Sequence, residues 1–414
     1  MTDERRLEHI KSLDGIRGIA VLLVVFFHCP FNAFKIQFGW VGVNLFLILS
    51  GFLITRILIS NKTADIKAWL PAFYIRRWLK IVPLYYFYLF FIFFFLFALN
   101  KYFPGDNVNI AQGLSDLKRN LAYLLSFTYN FGSVIHFFSN TDYHNSVFTG
   151  HLWSISVEQQ FYLLFPVLVY YLPAKYVKRI CFSLILFIPF LRLLTVIFLK
   201  AKFNDLFWIG DVLYSSTLFQ SDAISIGVCI ALCNPDFLCR YGMRCLKIAL
   251  LLVSVIGVVH IIYLHDYGMS FSSLGFDIPV YHLIYQTPYT IFNNRYFYSI
   301  PLLNITAGLI FFLVVKKHIM AGFLTNRLLT RIGKISYSIY IWHLLLSYLT
   351  SVIVAAIYKR PEEIHVMYQV LLLGLYLAVL FLISQVSYVY IEMRFLRLKH
   401  KYPYKPWSAQ QGSI

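Results

Sequence analysis

Arg17 and His28 stand eleven residues apart in LDGIRGIAVLLVVFFH, at the two ends of an apolar stretch that reads as one membrane-spanning helix. An ionisable residue at bilayer depth is costly and by default marks a functional site. Eleven residues at about 1.5 Å each separate the two side chains by roughly 16 Å along the axis, and eleven steps of about 100° return them to nearly the same face. One helix face then carries a cation near one membrane surface and an imidazole deep inside. A long anionic donor, bound at the surface with its reactive end reaching inward, needs that layout. Taken alone, the pair reads equally well as a topology charge and a satisfied interior histidine.

Other polar residues recur inside apolar runs. HLWSISVEQQFYLLFP, at 151–166, places Glu158 about two turns into a span, with His151, Trp153 and Ser154 nearer one surface. A carboxylate there either handles protons or partners a buried cation, for which Arg192 and His28 are available. FYIRRWLKIVPLYY brings Arg76, Arg77 and Lys80 to the entrance of another span, where they can clamp phosphates. Positive-inside placement accounts for the same three residues. QSDAISIG sets Asp222 near mid-membrane, and GKISYSIYIWH lines up Ser336, Tyr337, Tyr340 and His343 along one helix. Tyr and Ser at such positions commonly serve as packing and hydrogen-bond glue. The six cysteines lack metal-ligand spacing, so neither a metal site nor disulfides are expected.

The elements that must position these residues are membrane helices. Apolar residues make up 59% of the 414-residue chain and charged residues 13%, against roughly 45–50% and 25% in soluble domains. The formal charge of +18 is spread between apolar segments and does not form one basic domain, which argues against nucleic acid as a partner. Apolar runs near residues 13–30, 40–59, 80–99, 152–172, 180–199, 211–233, 247–264, 296–315, 334–357 and 366–391 are each long enough to cross about 30 Å as a helix. The segment 121–131 is too short and reads as re-entrant, interfacial or packed in a loop. Ten spans with a cytoplasmic N-terminus put 26 Lys and Arg inside and 9 outside, with Arg192 within a span. This asymmetry predicts both termini in the cytoplasm. The expected fold is an all-α polytopic membrane helix bundle of about ten transmembrane helices. It forms one domain over 1–400, followed by a short cytoplasmic tail at 401–414. The first span has no small-x-small cleavage site after FFHCP and so reads as an anchor. The outer loops at 100–151 and 265–295 are long and poor in charge, as functional loops often are.

In combination, the segments quoted above, together with GWVGVNLFLILSGFLIT, resemble the membrane-bound acyltransferase family 3, bacterial O-acyltransferases that act on cell-surface polysaccharides. The motifs occur in the family's order across nearly the whole chain. The resemblance implies an integral protein of the bacterial inner membrane, acetyl-CoA as co-substrate with no tightly bound cofactor, and a glycan or lipid-linked saccharide as acceptor. It also implies an essential role for Arg17 and His28 and a donor-binding role for the Arg-x-x-Arg of the third span. The chain departs from the pattern in three places. Arg-x-x-Arg is Arg77-x-x-Lys80, a Glu-Glu pair reads Glu158-Gln159, and the Arg usual before SDA is Gln220. With no C-terminal esterase-like segment after the last span, the chain resembles the stand-alone form. A homodimer is compatible with this reading.

Acyl transfer from a thioester to a hydroxyl needs a base, cations for the CoA phosphates and exclusion of water. The expected catalytic set is His28 as base, Glu158 to orient its imidazole, and Arg17. Arg76, Arg77 and Lys80 are the expected donor clamp, and His151, Trp153, Asp222 and His343 the expected acceptor set. Direct transfer and a relay through acylated His28 both remain open. Counted from residue 13, His28 lies about 22 Å along its helix, which predicts an acceptor entering from the extracytoplasmic side. The alternative function is a transporter or flippase for a lipid-linked sugar, with His28, Glu158 and Asp222 as a proton path. No internal inverted repeat supports it.

Overall fold

The computed structural model describes residues 11–36, 38–63, 65–102, 108–139, 146–202, 206–233, 236–266, 295–358 and 365–404. These residues are helical with no strand among them, as a bilayer requires of a chain that must satisfy its own backbone. The helices are α1 (Lys11–Phe27), α2 (Val41–Ser60), α3 (Ile66–Tyr102), α4 (Val108–Arg119), α5 (Leu121–Leu125), α6 (Tyr129–Ser139), α7 (Trp153–Tyr171), α8 (Ala174–Lys202), α9 (Leu206–Ser215) and α10 (Thr217–Leu232). They continue with α11 (Asp236–Asp266), α12 (Arg295–Lys317), α13 (Ala321–Leu324), α14 (Arg327–Lys334), α15 (Ser336–Ile357), α16 (Val366–Ser387) and α17 (Met393–Arg397). A π-helical turn, Tyr388–Glu392, joins the last two.

Seven stretches among the described residues are long and apolar enough to cross a membrane: Val41–Ser60, Ile66–Tyr102, Gly150–Tyr171, Ala174–Leu199, Ile300–Lys317, Ser336–Ile357 and Val366–Lys401. The three remaining expected spans fall on α1, on α9 with α10, and on α11. α1 has 17 residues, about 26 Å of helix, and the bond from His28 N to Val24 O carries its hydrogen bonding one residue further. The run at 211–233 is interrupted at Ser216, whose backbone is extended between α9 and α10. Gln220 Nε2 donates to the Tyr214 carbonyl at that break, which satisfies a backbone group that lipid could not.

α3 begins well before the run at 80–99, so Arg76 and Arg77 sit on the same continuous helix as the span. The segment 121–131 is packed against that helix. Tyr85 and Tyr86 donate from α3 to the carbonyls of Leu124 and Leu125 at 2.9 and 2.8 Å. Residues 103–107, 140–145 and 267–294 of the expected outer loops, and 405–414 of the expected tail, lie outside the described residues.

The centre of the bundle is built on close backbone approach. At the α2–α10 crossing, a Cβ on Gly227 would stand 1.9 Å from Ile48 O, and one on Gly51 would stand 2.2 Å from Ile224 O. Only glycine fits at either position, as at many membrane helix crossings. This crossing draws α2 inward and fixes the face that carries Ser50.

Candidate functional site

One cavity gathers four of the charged residues singled out in the sequence. Arg17 of α1, Arg77 and Lys80 of α3, and Glu158 of α7 line it together with apolar residues of α2. It encloses about 810 Å³ including the open space at its mouth. Arg17 donates to Asp14 at 2.9 Å and keeps a partly exposed side chain. Arg77 lies over the rings of Phe73 and Tyr162, 5.7 and 5.6 Å from their centroids. Aromatic faces hold the guanidinium in place and leave its N–H fork for an anion.

Glu158 accepts hydrogen bonds from the hydroxyls of Ser50 and Tyr162. Its partners are therefore hydroxyls and neither Arg192 nor His28, and Lys80 interacts with it electrostatically. Ser50 and Tyr162 carry no signal of this role in the residue pattern, because a Ser or Tyr in an apolar run is ordinary.

Arg76 does not line the cavity. Its Nη1 donates to the carbonyls of Lys399 and Tyr402 at 2.9 and 3.2 Å, and its guanidinium lies 5.1 Å from the Tyr404 ring centroid. It ties the C-terminal segment to α3. That segment adds two charged groups that sequence reasoning passed over. Glu392 is buried and accepts from Ser338 Oγ, and Lys399 interacts electrostatically with Arg76, Arg77 and Glu392.

Tyr340 and Ser154 close one wall of the cavity, their hydroxyls 2.5 Å apart. Tyr340 also donates to the His151 carbonyl at 2.9 Å. Behind this wall stand three histidines from three elements. The His343 ring centroid is 5.1 Å from that of His28 and 5.1 Å from that of His151. Ser347 Oγ donates to the His28 carbonyl at 2.5 Å. Arg17 thus lines the cavity while His28, eleven residues on, joins the histidine cluster behind it. The two expected acceptor residues His151 and His343 are brought to His28.

The other two are not. Trp153 packs its ring against Tyr214, 5.0 Å between centroids. Asp222 is buried against Arg192, with Nη1 2.7 Å from Oδ2 and Nη2 3.1 Å from Oδ1. Neither residue lines the cavity. Among the described residues, no group of three or more His, Cys, Asp or Glu is arranged to hold a metal ion.

Comparison with known proteins follows the same motifs. Residues 10–389 match the family described as an acyltransferase domain. The O-acetyltransferase OatA of Staphylococcus aureus strain NCTC 8325 is 24% identical over 353 residues, which cover 82% of this chain and 52% of OatA. SACOL0978 of strain COL, provisionally named an O-acetyltransferase, is 27% identical over 345 residues, 83% of this chain and 51% of that protein. The chain spans about half the length of the curated relatives it matches. No solved structure matches it. With the family's motifs in order on a membrane helix bundle and nearly the whole chain matched, the protein belongs to acyltransferase family 3.

Proposed function

We propose that the protein transfers an acyl group, acetyl being the fitting case, from acyl-CoA to a hydroxyl of a cell-surface or lipid-linked glycan. The observation that carries this reading is the cavity itself. It has three cations, Arg17, Arg77 and Lys80, and it ends at a wall of Tyr340 and Ser154 with His28, His151 and His343 behind. A phosphate-bearing donor fits the cationic part, and an extended thioester arm is comparable in length to the Arg17–His28 separation of roughly 16 Å. The O-acetyltransferase name of the S. aureus relatives supports acetyl transfer to oxygen.

The chemistry assigned to the residues is acid–base and electrostatic. His28 takes the proton of the acceptor hydroxyl as its oxygen bonds to the thioester carbonyl carbon. The C–S bond then breaks, and the thiolate recovers a proton as CoA leaves. Glu158, which accepts from Ser50 and Tyr162, sets a carboxylate in the cavity that favours the cationic imidazole. The apolar walls of the cavity limit hydrolysis by keeping water from the thioester. The excess of Lys and Arg on alternate loops supports a cytoplasmic face for Arg77 and Lys80, in a bacterial inner membrane. The acceptor then enters from the opposite face.

Sealed vesicles of known orientation test this. Labelled acetyl-CoA supplied only on the cytoplasmic face should release CoA and label glycan enclosed on the other face. Absence of both products with folded protein would overturn the reading, and label confined to glycan on the CoA side would overturn the sidedness.

A further inference from the structure

The three imidazoles of the cluster have fewer protons than their surroundings can use. A neutral imidazole has one N–H and one bare nitrogen. Each ring sets one nitrogen beside a backbone carbonyl: His28 Nδ1 is 3.1 Å from Val24 O, His151 Nε2 is 3.2 Å from Ile341 O, and His343 Nδ1 is 2.6 Å from Tyr340 O. A carbonyl only accepts, so the N–H of each ring belongs on the nitrogen facing it, and the tautomers follow from these contacts. That leaves His28 Nε2, His151 Nδ1 and His343 Nε2 bare. The last two are buried without a hydrogen-bond partner, in residues 4% and 0% exposed.

Two orphaned acceptors in one cluster call for a physical reason. Neighbouring donors do not meet the need. Tyr340 donates to the His151 carbonyl, Ser347 to the His28 carbonyl, Tyr376 to the His343 carbonyl at 3.4 Å, and Tyr88 to the Phe148 carbonyl at 2.6 Å. Lys35 acts on His28 only through its charge. The cluster is short of N–H groups, and the transfer reaction releases a proton that can supply one.

We propose that the cluster is the proton store of the reaction, with His343 as the positioning residue of His28. This rests on the acyl-transfer reading above. The hydroxyl O–H bond breaks and its proton goes to His28 Nε2. The O–C bond forms, the C–S bond breaks, and the electron pair stays on sulfur. His28 now carries two N–H groups, one on Val24 O and one new. The two rings are in contact, 5.1 Å between centroids and tilted by 58°, with no hydrogen bond at His343 Nε2, and the protonated ring turns its new N–H to that bare nitrogen. The proton is held there and returns to the thiolate as CoA leaves, so protons balance over the cycle. His151, on the other side of His343, adds the third bare nitrogen.

His343→Leu removes the acceptor, whereas His343→Gln keeps one in its Oε1. With acetyl-CoA and envelope glycan, His343→Leu should lower kcat on the order of 10²-fold while KM for acetyl-CoA changes by less than about twofold. His343→Gln should recover roughly tenfold of that loss. A kcat within about twofold of wild type in His343→Leu, or equal losses in Leu and Gln, would overturn the proposal. Nitrogen-15 NMR of the full chain labelled at histidine, in lipid nanodiscs, tests it without turnover. His28 and His343 should be Nδ1–H tautomers and His151 an Nε2–H tautomer, and on acidification the His28 and His343 signals should respond together to one proton. The opposite tautomers, or two independent responses, would overturn the store even if the Leu variant fails to fold. The expected signals in a chain that transfers nothing from acetyl-CoA would fault the donor assignment and support the store.

Discussion

Arg192 grips Asp222 with both prongs of its guanidinium, 2.7 and 3.1 Å to the two carboxylate oxygens, and the side chains are 1% and 2% exposed. Asn304 Nδ2 donates to Asp222 Oδ1 at 3.3 Å, and Asn304 Oδ1 accepts from Asn44 Nδ2 at 2.7 Å. The network joins α8, α10, α12 and α2 across the bundle. A carboxylate so engaged serves the frame, and the proton path of a transporter would need it free. Asp222→Ala should therefore cost about 3–5 kcal/mol of stability by stranding Arg192, read as a lower thermal midpoint in detergent and a lower yield. The joint change Asp222→Leu with Arg192→Met should restore much of that midpoint. A stable but inactive Asp222→Ala would instead return Asp222 to the reaction.

His28 meets the cluster at the end of α1, where helical hydrogen bonding has just one residue left to run. His28→Ala should abolish acetyl transfer, a fall of about 10²–10⁴-fold, with near-normal expression and membrane insertion. Labelling of glycan by purified variant and wild type checks this, and transfer at near wild-type rate would remove His28 from catalysis. An acid-labile acetyl adduct formed without acceptor, and absent from His28→Ala, would favour the relay over direct transfer.

Arg76 and Arg77 are neighbours with different tasks, since successive helix residues point about 100° apart and only one of them can face the cavity. Arg77→Ala should raise KM for acetyl-CoA more than it lowers kcat, because phosphate contacts far from the carbonyl act as uniform binding. Lys80→Arg should be tolerated, since it restores a fork in place of a point charge. Arg76→Ala should leave KM nearly unchanged and lower the thermal midpoint, because what it loses is the tie to Lys399, Tyr402 and Tyr404. A higher KM in Arg76→Ala with an unchanged one in Arg77→Ala would reverse the two assignments.

The contrast between these two arginines shows what was legible beforehand. Charges inside apolar runs stand out in a sequence, and Arg17, Arg77, Lys80 and Glu158, all conspicuous in this way, converge on one cavity. Which face each presents depends on helix rotation, and rotation is set by neighbours distant in sequence. The same limit hid the hydroxyls of Ser50 and Tyr162 from Glu158, and it left Arg192 as a candidate partner for the wrong carboxylate. In sequence His343 stands beside ordinary interface Tyr and Ser residues, and only the packing of α15 against α1 brings it to His28. The break at Ser216 had no signal either, since neither Pro nor Gly marks it and the carbonyl it frees is met by Gln220.

Glu158 offers the sharpest test of charge against shape. Both hydroxyl donors, Ser50 Oγ and Tyr162 OH, reach the same oxygen, Oε1. Glu158→Gln keeps a carbonyl oxygen at that position and can accept both bonds, so the fold and the cavity should survive. What disappears is the carboxylate that interacts electrostatically with Lys80 in the cavity. The expected result is a fall in kcat on the order of 10²-fold with KM for acetyl-CoA within about threefold. Tyr162→Phe removes one bond to a charged acceptor, worth about 1.5–3 kcal/mol at most, and keeps the charge. Its loss in kcat should be smaller than that of Glu158→Gln. Steady-state kinetics on the two variants, with thermal midpoints as a control for folding, decides the matter. If Glu158→Gln turns over within about twofold of wild type, the carboxylate is there for its shape and hydrogen bonds, and the negative charge has no part in the transfer.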